Sequence, residues 1–158
     1  MTKLSFDVIL ALQGKTLATA ESCTGGGIGA ALTAVPGSSK VYKGGIISYT
    51  NDVKMGLLGI TADMLESHGA VSKCVAEAMA VGVRNSLDTD VAVSVTGLAG
   101  PDGDDFGNPV GTVFIGYADG EVSFSEHFFF RGGREEVRTQ AAFAALQIVL
   151  KQNKKGQA

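Results

Sequence analysis

A run of seven almost entirely apolar residues, VAVSVTG at positions 91–97, constrains the fold most strongly. The run lacks the alternation of polar and apolar residues that marks a half-exposed strand, which indicates a β-strand covered on both faces. Strand-like and helix-like patterns alternate along much of the chain, as is typical of helices packed on both sides of one sheet. The sequence therefore predicts an α/β fold, a three-layer α/β/α sandwich.

The C-terminal third adds an antiparallel part to this sheet. Residues 110–130 contain two strand-like segments separated by Asp119-Gly120, a pair that favours a two-residue hairpin turn. The sheet is therefore predicted to be mixed and to contain a C-terminal β-hairpin. A last helix is predicted from near Gly133 to about Lys151, followed by a solvated basic tail.

Length and composition narrow the class of protein. The 158 residues are predicted to form a single domain, 1–158, and the net charge of −3 argues against a nucleic-acid-binding surface. The N-terminal apolar run is modest and is interrupted by Asp7, so neither a signal peptide nor a membrane span is predicted. Cys23 and Cys74 have no metal-ligand spacing, and we expect free thiols in a cytoplasmic protein without a metal site.

The segment ESCTGGGIG, residues 21–29, places small polar residues and glycines between a predicted strand and a predicted helix. Such a turn directs backbone N–H groups and the positive end of a helix dipole at one point, which suits a phosphate, a carboxylate or an oxyanion. The segment matches neither a Walker loop, nor a dinucleotide-binding turn, nor a hydrolase nucleophile elbow. From the residues alone, a binding site and a plain glycine-rich turn are equally good interpretations.

Two further segments lie at predicted strand ends. SYTNDVK, residues 48–54, carries a tyrosine near a predicted strand end and a lysine in a short predicted helix with Asn51 or Asp52 as its cap. A desolvated lysine beside a serine can act as a general base. VTGLAGPDG, residues 95–103, is a buried strand that leads into a second glycine-rich loop. The alternatives are a solvated lysine and a flexible loop. Because functional groups gather at the carboxyl ends of neighbouring strands, the two glycine-rich loops, residues 21–29 and 95–103, together favour a shared cleft.

The segment RGGREEVR, residues 131–138, brackets the start of the last predicted helix. Arg134 and Arg138 are four residues apart and share a helical face, and arginine side chains suit phosphate and carboxylate groups. The alternative is a surface helix whose arginines pair with Glu135 and Glu136.

Five segments carry motifs in a characteristic order: LATAESCTGG, AVPGSSKVYKGGIISYTNDVKMGLLGI, HGAVS, VAVSVTGLAGPDG and NPVGTV. In these segments, from about Leu17 to Arg138, the chain resembles the CinA C-terminal-domain family. Standalone members of that family are nicotinamide-nucleotide amidases (the PncC type). The resemblance implies hydrolysis of nicotinamide mononucleotide to nicotinate mononucleotide and ammonia, without a cofactor. It also implies a small-molecule nucleotide partner, homo-oligomeric assembly and a standalone domain instead of a fusion.

The resemblance also implies roles for individual residues. Ser22 is the expected nucleophile, Tyr49 and Lys54 are expected to activate it, and backbone N–H groups of residues 24–26 are expected to stabilise the oxyanion. Either Arg134 or Arg138 is expected to meet the phosphate. The full substrate-binding set implied in this way is Thr24, Gly25, Gly26, Asn51, Thr96, Gly97, Gly100, Arg134 and Arg138.

One loop departs from the family pattern. Where the family has GPxGG and KPVGT, this chain has GPDGDD and NPVGT, so Asp104, Asp105 and Asn108 are expected to weaken phosphate binding or alter substrate choice. The alternative functions are a nucleotide-binding or scaffold module without turnover, of the competence or damage-inducible type, and an amidase for a different carboxamide. Cys23 is the alternative nucleophile, but the sequence offers it no obvious histidine partner.

Overall fold

The computed structural model describes residues 1–154 and contains five strands and six α-helices. The strands are β1 (Leu17–Glu21), β2 (Tyr42–Ile47), β3 (Val91–Gly97), β4 (Thr112–Ala118) and β5 (Ser123–Phe129). The helices are α1 (Thr2–Ala11), α2 (Gly27–Thr33), α3 (Asn51–Leu58), α4 (Ala62–His68), α5 (Lys73–Leu87) and α6 (Arg134–Lys154), with a short 3-10 helix at Ser38–Lys40.

The strands form one sheet in the order β2-β1-β3-β4-β5. Strands β1, β2 and β3 run parallel, β4 is antiparallel to β3, and β5 is antiparallel to β4. This arrangement confirms the predicted α/β sandwich with a mixed sheet and a C-terminal hairpin. The last helix continues to Lys154, beyond the predicted end, and residues 155–158 of the predicted tail lie outside the described residues.

Strand β3 lies at the centre of the sheet, and its buried side chains alternate between the two faces. Val91, Val93 and Val95 belong to the core formed with α1, α2 and α6, whereas Ala92 belongs to the core formed with α5. The face toward α5 carries small residues, and a Cβ at Gly116 would collide with the carbonyl oxygen of Ala76 on that helix. The continuous apolar pattern of β3 therefore reflects coverage by helices on both sides.

The hairpin turn differs from the sequence prediction. Ala118 pairs directly with Ser123 and Asp119 N–H donates to Val122 O at 2.9 Å, so the turn is centred on Gly120-Glu121 and not on the predicted Asp119-Gly120. Asp119 Oδ1 accepts hydrogen bonds from the N–H groups of Glu121 and Val122, at 2.8 and 2.9 Å, and Gly120 does not take the left-handed conformation. Because the aspartate side chain satisfies these N–H groups, the turn does not need the primed geometry that Asp-Gly favours.

The carboxyl ends of the three parallel strands meet at one edge of the sheet. Ser22 N–H donates to Val95 O at 2.9 Å, and Ser48 N–H donates to Glu21 O at 2.8 Å, so main-chain hydrogen bonds continue just past β1 and β2. The segments that follow β1, β2 and β3 therefore open into the same region, which the sequence predicted for two of them.

Among residues 1–154, no helix has both the length and the apolar character that crossing a bilayer requires.

Candidate active site

Lys54 and Ser22 form a hydrogen-bonded pair in the interior at this edge of the sheet. Lys54 Nζ lies 3.0 Å from Ser22 Oγ, 2.8 Å from Ser48 O and 3.5 Å from Tyr49 O. Lys54 is only 2% exposed and Ser22 8%. A neutral amine has two N–H donors and one lone pair. The two carbonyl groups can therefore take the donors, which leaves the lone pair for the serine hydroxyl.

Burial lowers the pKa of Lys54 to about 8, because the ammonium form loses its hydration inside the protein. Within the described part of the chain the one salt bridge joins Lys3 and Asp7, so no carboxylate pairs with Lys54 to restore the charged form. At pH values slightly above 7, a substantial fraction of the Lys54 side chains is therefore uncharged. In that form the amine can accept a proton from Ser22.

The start of α3 aims Lys54 inward. Thr50 is the N-cap of this helix, and its hydroxyl oxygen accepts the N–H of Val53, whereas the sequence predicted Asn51 or Asp52 as the cap. Thr50 has the extended backbone conformation of an N-cap residue, and this conformation lets its side-chain oxygen accept an N–H group of the first helical turn. Lys54 and Leu58 then lie one turn apart on the buried face of α3.

The turn after β1 uses much of its hydrogen-bonding capacity internally. Gly25 N–H donates to Ser22 O and Gly27 N–H donates to Thr24 O, both at 3.0 Å. Gly25 and Gly26 have φ values of +57° and +100°, a left-handed conformation that glycine adopts without strain. Thr24, Gly25 and Gly26 do not line the cavity beside Ser22, so the prediction that they contact substrate has no support in this geometry.

The N-terminal end of α2 is also occupied. The Glu21 carboxylate accepts the N–H groups of Ile28 at 2.8 Å and of Gly29 at 3.1 Å. The chain's own carboxylate therefore takes the place at which the sequence predicted a bound anion. Cys23 lines the cavity next to Ser22, and its N–H, like those of Thr24 and Gly26, donates to no other residue among 1–154.

The pair opens into a cavity of about 290 Å³. The predicted site residues that line it are Ser22, Tyr49, Asn51, Lys54, Thr96, Gly97, Gly100 and Arg134. The lining also includes residues that no sequence pattern marked as functional: Ala70, Val71, Leu98, Ala99 and Asp102. Among residues 1–154, no three His, Cys, Asp or Glu side chains are grouped in a way that could hold a metal ion.

Thr96 and Gly97 shape this cavity through packing. Thr96 Oγ1 donates to Ala70 O at 2.8 Å, which fixes the segment before α5 against the end of β3. A Cβ at Gly97 would lie 2.7 Å from Val113 Cγ2 and 3.2 Å from Cys23 Sγ. A side chain at position 97 would therefore crowd Val113 on β4 and Cys23 in the turn after β1, and glycine lets the end of β3 pack close to both.

Tyr49 lies at the rim of the cavity and is 57% exposed. Its hydroxyl accepts a hydrogen bond from Arg134 Nη2 at 2.9 Å, and Arg134 Nη1 donates to Gly100 O at 2.7 Å. The Tyr49 hydroxyl makes no hydrogen bond with Ser22 or Lys54; only its main-chain oxygen approaches the amine. The predicted part of Tyr49 in activating the serine therefore has no supporting contact.

The two arginines of α6 have different positions. Arg138 Nε donates to Cys23 O at 3.0 Å and Nη2 donates to Thr24 O at 3.3 Å, so this side chain braces the nucleophile turn. Arg138 does not line the cavity, whereas Arg134 does. Of the two candidates for a phosphate contact, Arg134 is the one that a ligand in the cavity can reach.

Cys23 is a poor nucleophile in this setting. The side chain is 5% exposed, and burial raises the pKa of its thiol to about 11. The thiolate is the reactive form, so almost none is present at neutral pH.

The loop that departs from the family pattern, residues 103–108, is held by hydrogen bonds between its own residues. Asp104 Oδ1 accepts the N–H groups of Phe106 and Asn108, and its Oδ2 accepts Asn108 Nδ2 at 2.8 Å. Asn108 Nδ2 also donates to Val71 O at 3.2 Å. Asp104, Asp105 and Asn108 do not line the cavity, so the expected weaker phosphate binding or altered substrate choice has no contact behind it here and stays a prediction.

The sequence and the fold are both similar to those of known proteins. The sequence profile described as "CinA C-terminal domain" matches residues 2–153. The chain belongs to the CinA C-terminal-domain family. It is 50% identical to a CinA-like protein of Rippkaea orientalis over 141 residues, which are 87% of this chain and 34% of that protein. It is 47% identical over 148 residues to a putative competence-damage inducible protein of Halothermothrix orenii, covering 90% of this chain and 36% of that protein. The chain thus spans about a third of the length of these curated relatives.

Solved structures of CinA-type proteins have the same fold. The competence damage-inducible protein A (ComA) of Klebsiella pneumoniae superposes with a TM-score of 0.92 at 33% identity, covering 95% of this chain and 94% of that one. The competence/damage inducible protein CihA of Agrobacterium tumefaciens gives a TM-score of 0.92 at 36% identity, covering 96% and 94%. The names of these CinA relatives refer to competence and damage induction and do not specify a reaction.

Proposed function

We propose that this CinA C-terminal domain is an amidohydrolase that converts nicotinamide mononucleotide to nicotinate mononucleotide and ammonia. The observation that carries the proposal is the buried Ser22–Lys54 pair, with Nζ 3.0 Å from Oγ and the pKa of the lysine lowered to about 8. A nucleophile with a base in hydrogen-bond reach, open to a cavity, is the arrangement that acyl transfer needs. The choice of substrate rests on the family resemblance and on a cationic side chain, Arg134, at the cavity.

In the proposed reaction, Lys54 accepts the hydroxyl proton of Ser22 while Oγ attacks the carboxamide carbon. The N–H of Cys23, a residue that lines the cavity, donates to no other residue among 1–154 and is the proposed oxyanion donor. Lys54 then gives its proton to the leaving nitrogen, ammonia departs, and an acyl-enzyme remains on Ser22. A water molecule, deprotonated by the same amine, hydrolyses this ester to the carboxylate and restores the serine.

Substrate binding is assigned to the rim of the cavity. Arg134 is proposed to bind the phosphate, because its guanidinium lies at the opening and is held by Tyr49 and Gly100. Tyr49 is assigned to orienting Arg134 instead of to proton transfer, since its hydroxyl bonds the arginine and not the reacting pair. Asn51, at the first position of α3, also lines the cavity and is proposed to contact the nucleotide.

The proposal is tested by measuring ammonia release from nicotinamide mononucleotide. We expect turnover by the wild-type protein and a loss of about 10³-fold or more in Ser22→Ala, because no other activated nucleophile faces the cavity. Cys23→Ala is the matched control, since it changes the adjacent side chain but leaves the main chain and the pair in place. Wild-type turnover by Ser22→Ala would show that the assigned nucleophile is wrong.

Two other proposals are separated by the same measurements. A nucleotide-binding or scaffold module of the competence or damage-inducible type, after which some relatives are named, would bind nicotinamide mononucleotide in a calorimeter but release no ammonia. An amidase for another carboxamide would be inactive on the mononucleotide but active on a member of a carboxamide panel. Homo-oligomeric assembly also stays a proposal, and light scattering of the purified chain tests it.

A further inference from the structure

The cavity carries side chains of both charges. Among the described residues that line it, Arg134 is a permanent cation and Asp102 is the one carboxylate. Asp102 has no salt bridge and no hydrogen-bond partner for its side chain among residues 1–154. Its charge is therefore not neutralised by the protein and is available to a ligand.

The loop holds Asp102 from both sides. Two residues before it, Gly100 O accepts a hydrogen bond from Arg134 at 2.7 Å. One residue after it, Gly103 packs so closely on Asn108 that a Cβ there would lie 2.6 Å from the Asn108 carbonyl oxygen. Asp102 is consequently presented by a segment that is anchored at each end.

The two neighbouring carboxylates in the loop do not face the cavity. Asp104 accepts three hydrogen bonds within its own loop, from Phe106 N–H and from the N–H and Nδ2 of Asn108. Asp105 is exposed, and neither residue lines the cavity. The negative charge at the cavity thus comes from Asp102 alone among the described acidic residues.

We infer that Asp102 is a specificity-determining residue that selects a carboxamide substrate whose ring carries a positive charge. The inference rests on the proposed function, because it concerns the substrate of the same cavity. A pyridinium nucleotide is bipolar, with a cationic ring and an anionic phosphate. Arg134 and Asp102 give the cavity the complementary pair of charges. The reduced dihydropyridine nucleotide has the same carboxamide and phosphate but an uncharged ring, so it lacks the contact that Asp102 offers.

This contact should act on binding more than on turnover. Asp102 faces a charge that is present in both the bound substrate and the transition state, so its removal weakens both to a similar extent. Such uniform binding appears in KM and leaves kcat nearly unchanged. Because Asp102 is exposed to solvent, an effect of about fivefold is expected, well below that of a buried ion pair.

The experiment compares oxidised and reduced nicotinamide mononucleotide by calorimetry in the Ser22→Ala background, where turnover does not interfere. Asp102→Asn is added to this background, and Asp105→Asn is the matched control because it removes a charge from the same loop outside the cavity. We expect Asp102→Asn to weaken the oxidised nucleotide about fivefold and the reduced one less than twofold. Asp105→Asn should change neither affinity by more than twofold.

Three results would overturn the inference: equal weakening of both nucleotides by Asp102→Asn, no weakening of either, or no measurable binding of the oxidised nucleotide. Ammonia release by the otherwise wild-type Asp102→Asn protein gives a second readout, with a raised KM and a nearly constant kcat expected. If the wild-type protein released no ammonia but Asp102→Asn still weakened only the oxidised nucleotide in the calorimeter, the amidase proposal would be refuted and the charge selection would stand.

Discussion

The turn after β1 and the loop after β3 look alike in sequence but differ in what they contribute. In the turn, residues 22–26, Gly25 N–H bonds to Ser22 O, and Arg138 holds the Cys23 and Thr24 carbonyl groups. The loop, residues 98–103, contributes Leu98, Ala99, Gly100 and Asp102 to the cavity wall. The turn fixes a reactive side chain, and the loop shapes the space in front of it.

This difference shows how a glycine-rich segment should be interpreted. A glycine-rich turn before a helix suggests an anion site only if its N–H groups are free. Here Glu21 occupies the N–H groups of Ile28 and Gly29, and Gly25 bonds within the turn. Of the remaining N–H groups of the turn, those of Thr24 and Gly26 belong to residues outside the cavity lining, whereas Cys23 lines the cavity and is therefore the expected oxyanion donor.

The largest expected effect concerns the turn after β1, where Lys54 bonds Ser22. Lys54→Met should reduce kcat/KM on nicotinamide mononucleotide by about 10³-fold, within the range for loss of a general base. Because the base must be deprotonated and its pKa is lowered to about 8, wild-type kcat/KM should rise with pH through about 8 and level off above it. A pH–rate profile that is flat between pH 6.5 and 9.5 would exclude Lys54 as the base.

Lys54 should also make the free energy of unfolding depend on pH. Its pKa falls from 10.5 in the unfolded chain to about 8 in the folded protein, so between these pH values the unfolded state binds more protons. The free energy of unfolding of the wild type, relative to Lys54→Met, should rise by about 3 kcal/mol from pH 8 to 10.5 and be constant below. Urea denaturation of both proteins across this range measures it. A difference that does not change with pH would mean that the lysine is not desolvated.

The third prediction concerns the contact between the two regions. Gly97→Ala should lower the free energy of unfolding by about 2 kcal/mol, because the new methyl group meets Val113, the Thr112 carbonyl oxygen and Cys23 Sγ. Gly56→Ala is the matched control, since nothing lies within 4 Å of its Cβ position in α3. That change should raise stability by about 0.5–1 kcal/mol through helix propensity. Equal thermal shifts in the two variants would show that the regions do not pack as closely as described.

The smallest expected effect lies on the loop side. Asn108→Ala removes the hydrogen bonds from Nδ2 to Asp104 and to Val71 O, and should cost about 1 kcal/mol in unfolding free energy. Because Val71 lines the cavity and Ser22 does not depend on this loop, KM should rise while kcat stays within about twofold. A fall in kcat with unchanged KM would mean that the loop positions the reacting groups.

Much of the fold could be predicted from local pattern. The apolar run of β3 and the two strand-like segments of the hairpin indicated their own elements and, together, the mixed sheet. The hairpin turn was predicted wrongly because the Asp119 side chain, and not Gly120, decides its geometry. Likewise Thr50 caps α3 in place of Asn51 or Asp52. Both differences come from side-chain to main-chain hydrogen bonds that several neighbouring residues could have made.

The candidate site could be predicted only in part. The resemblance pointed to Ser22 and Lys54, and the structure brings them together. Tyr49 was expected to activate Ser22, and Arg138 was one of the two candidates for the phosphate contact. Tyr49 instead lies at the rim of the cavity and bonds Arg134, and Arg138 donates to the Cys23 carbonyl group in the turn after β1. Asp102 had no signal of its own, because a single aspartate in a glycine-rich loop is common in any protein surface.

By itself, the sequence determined the order and kind of elements and the residue types available for chemistry. The tertiary structure decided which of them meet: Lys54 reaches Ser22 across 32 positions, and Arg138 reaches the Cys23 carbonyl group across 115. The physical reason is that hydrophobic periodicity is a local property, whereas burial and hydrogen-bond partners depend on which segments pack together. Burial is what lowers the pKa of Lys54, and no residue near it in sequence indicates that burial.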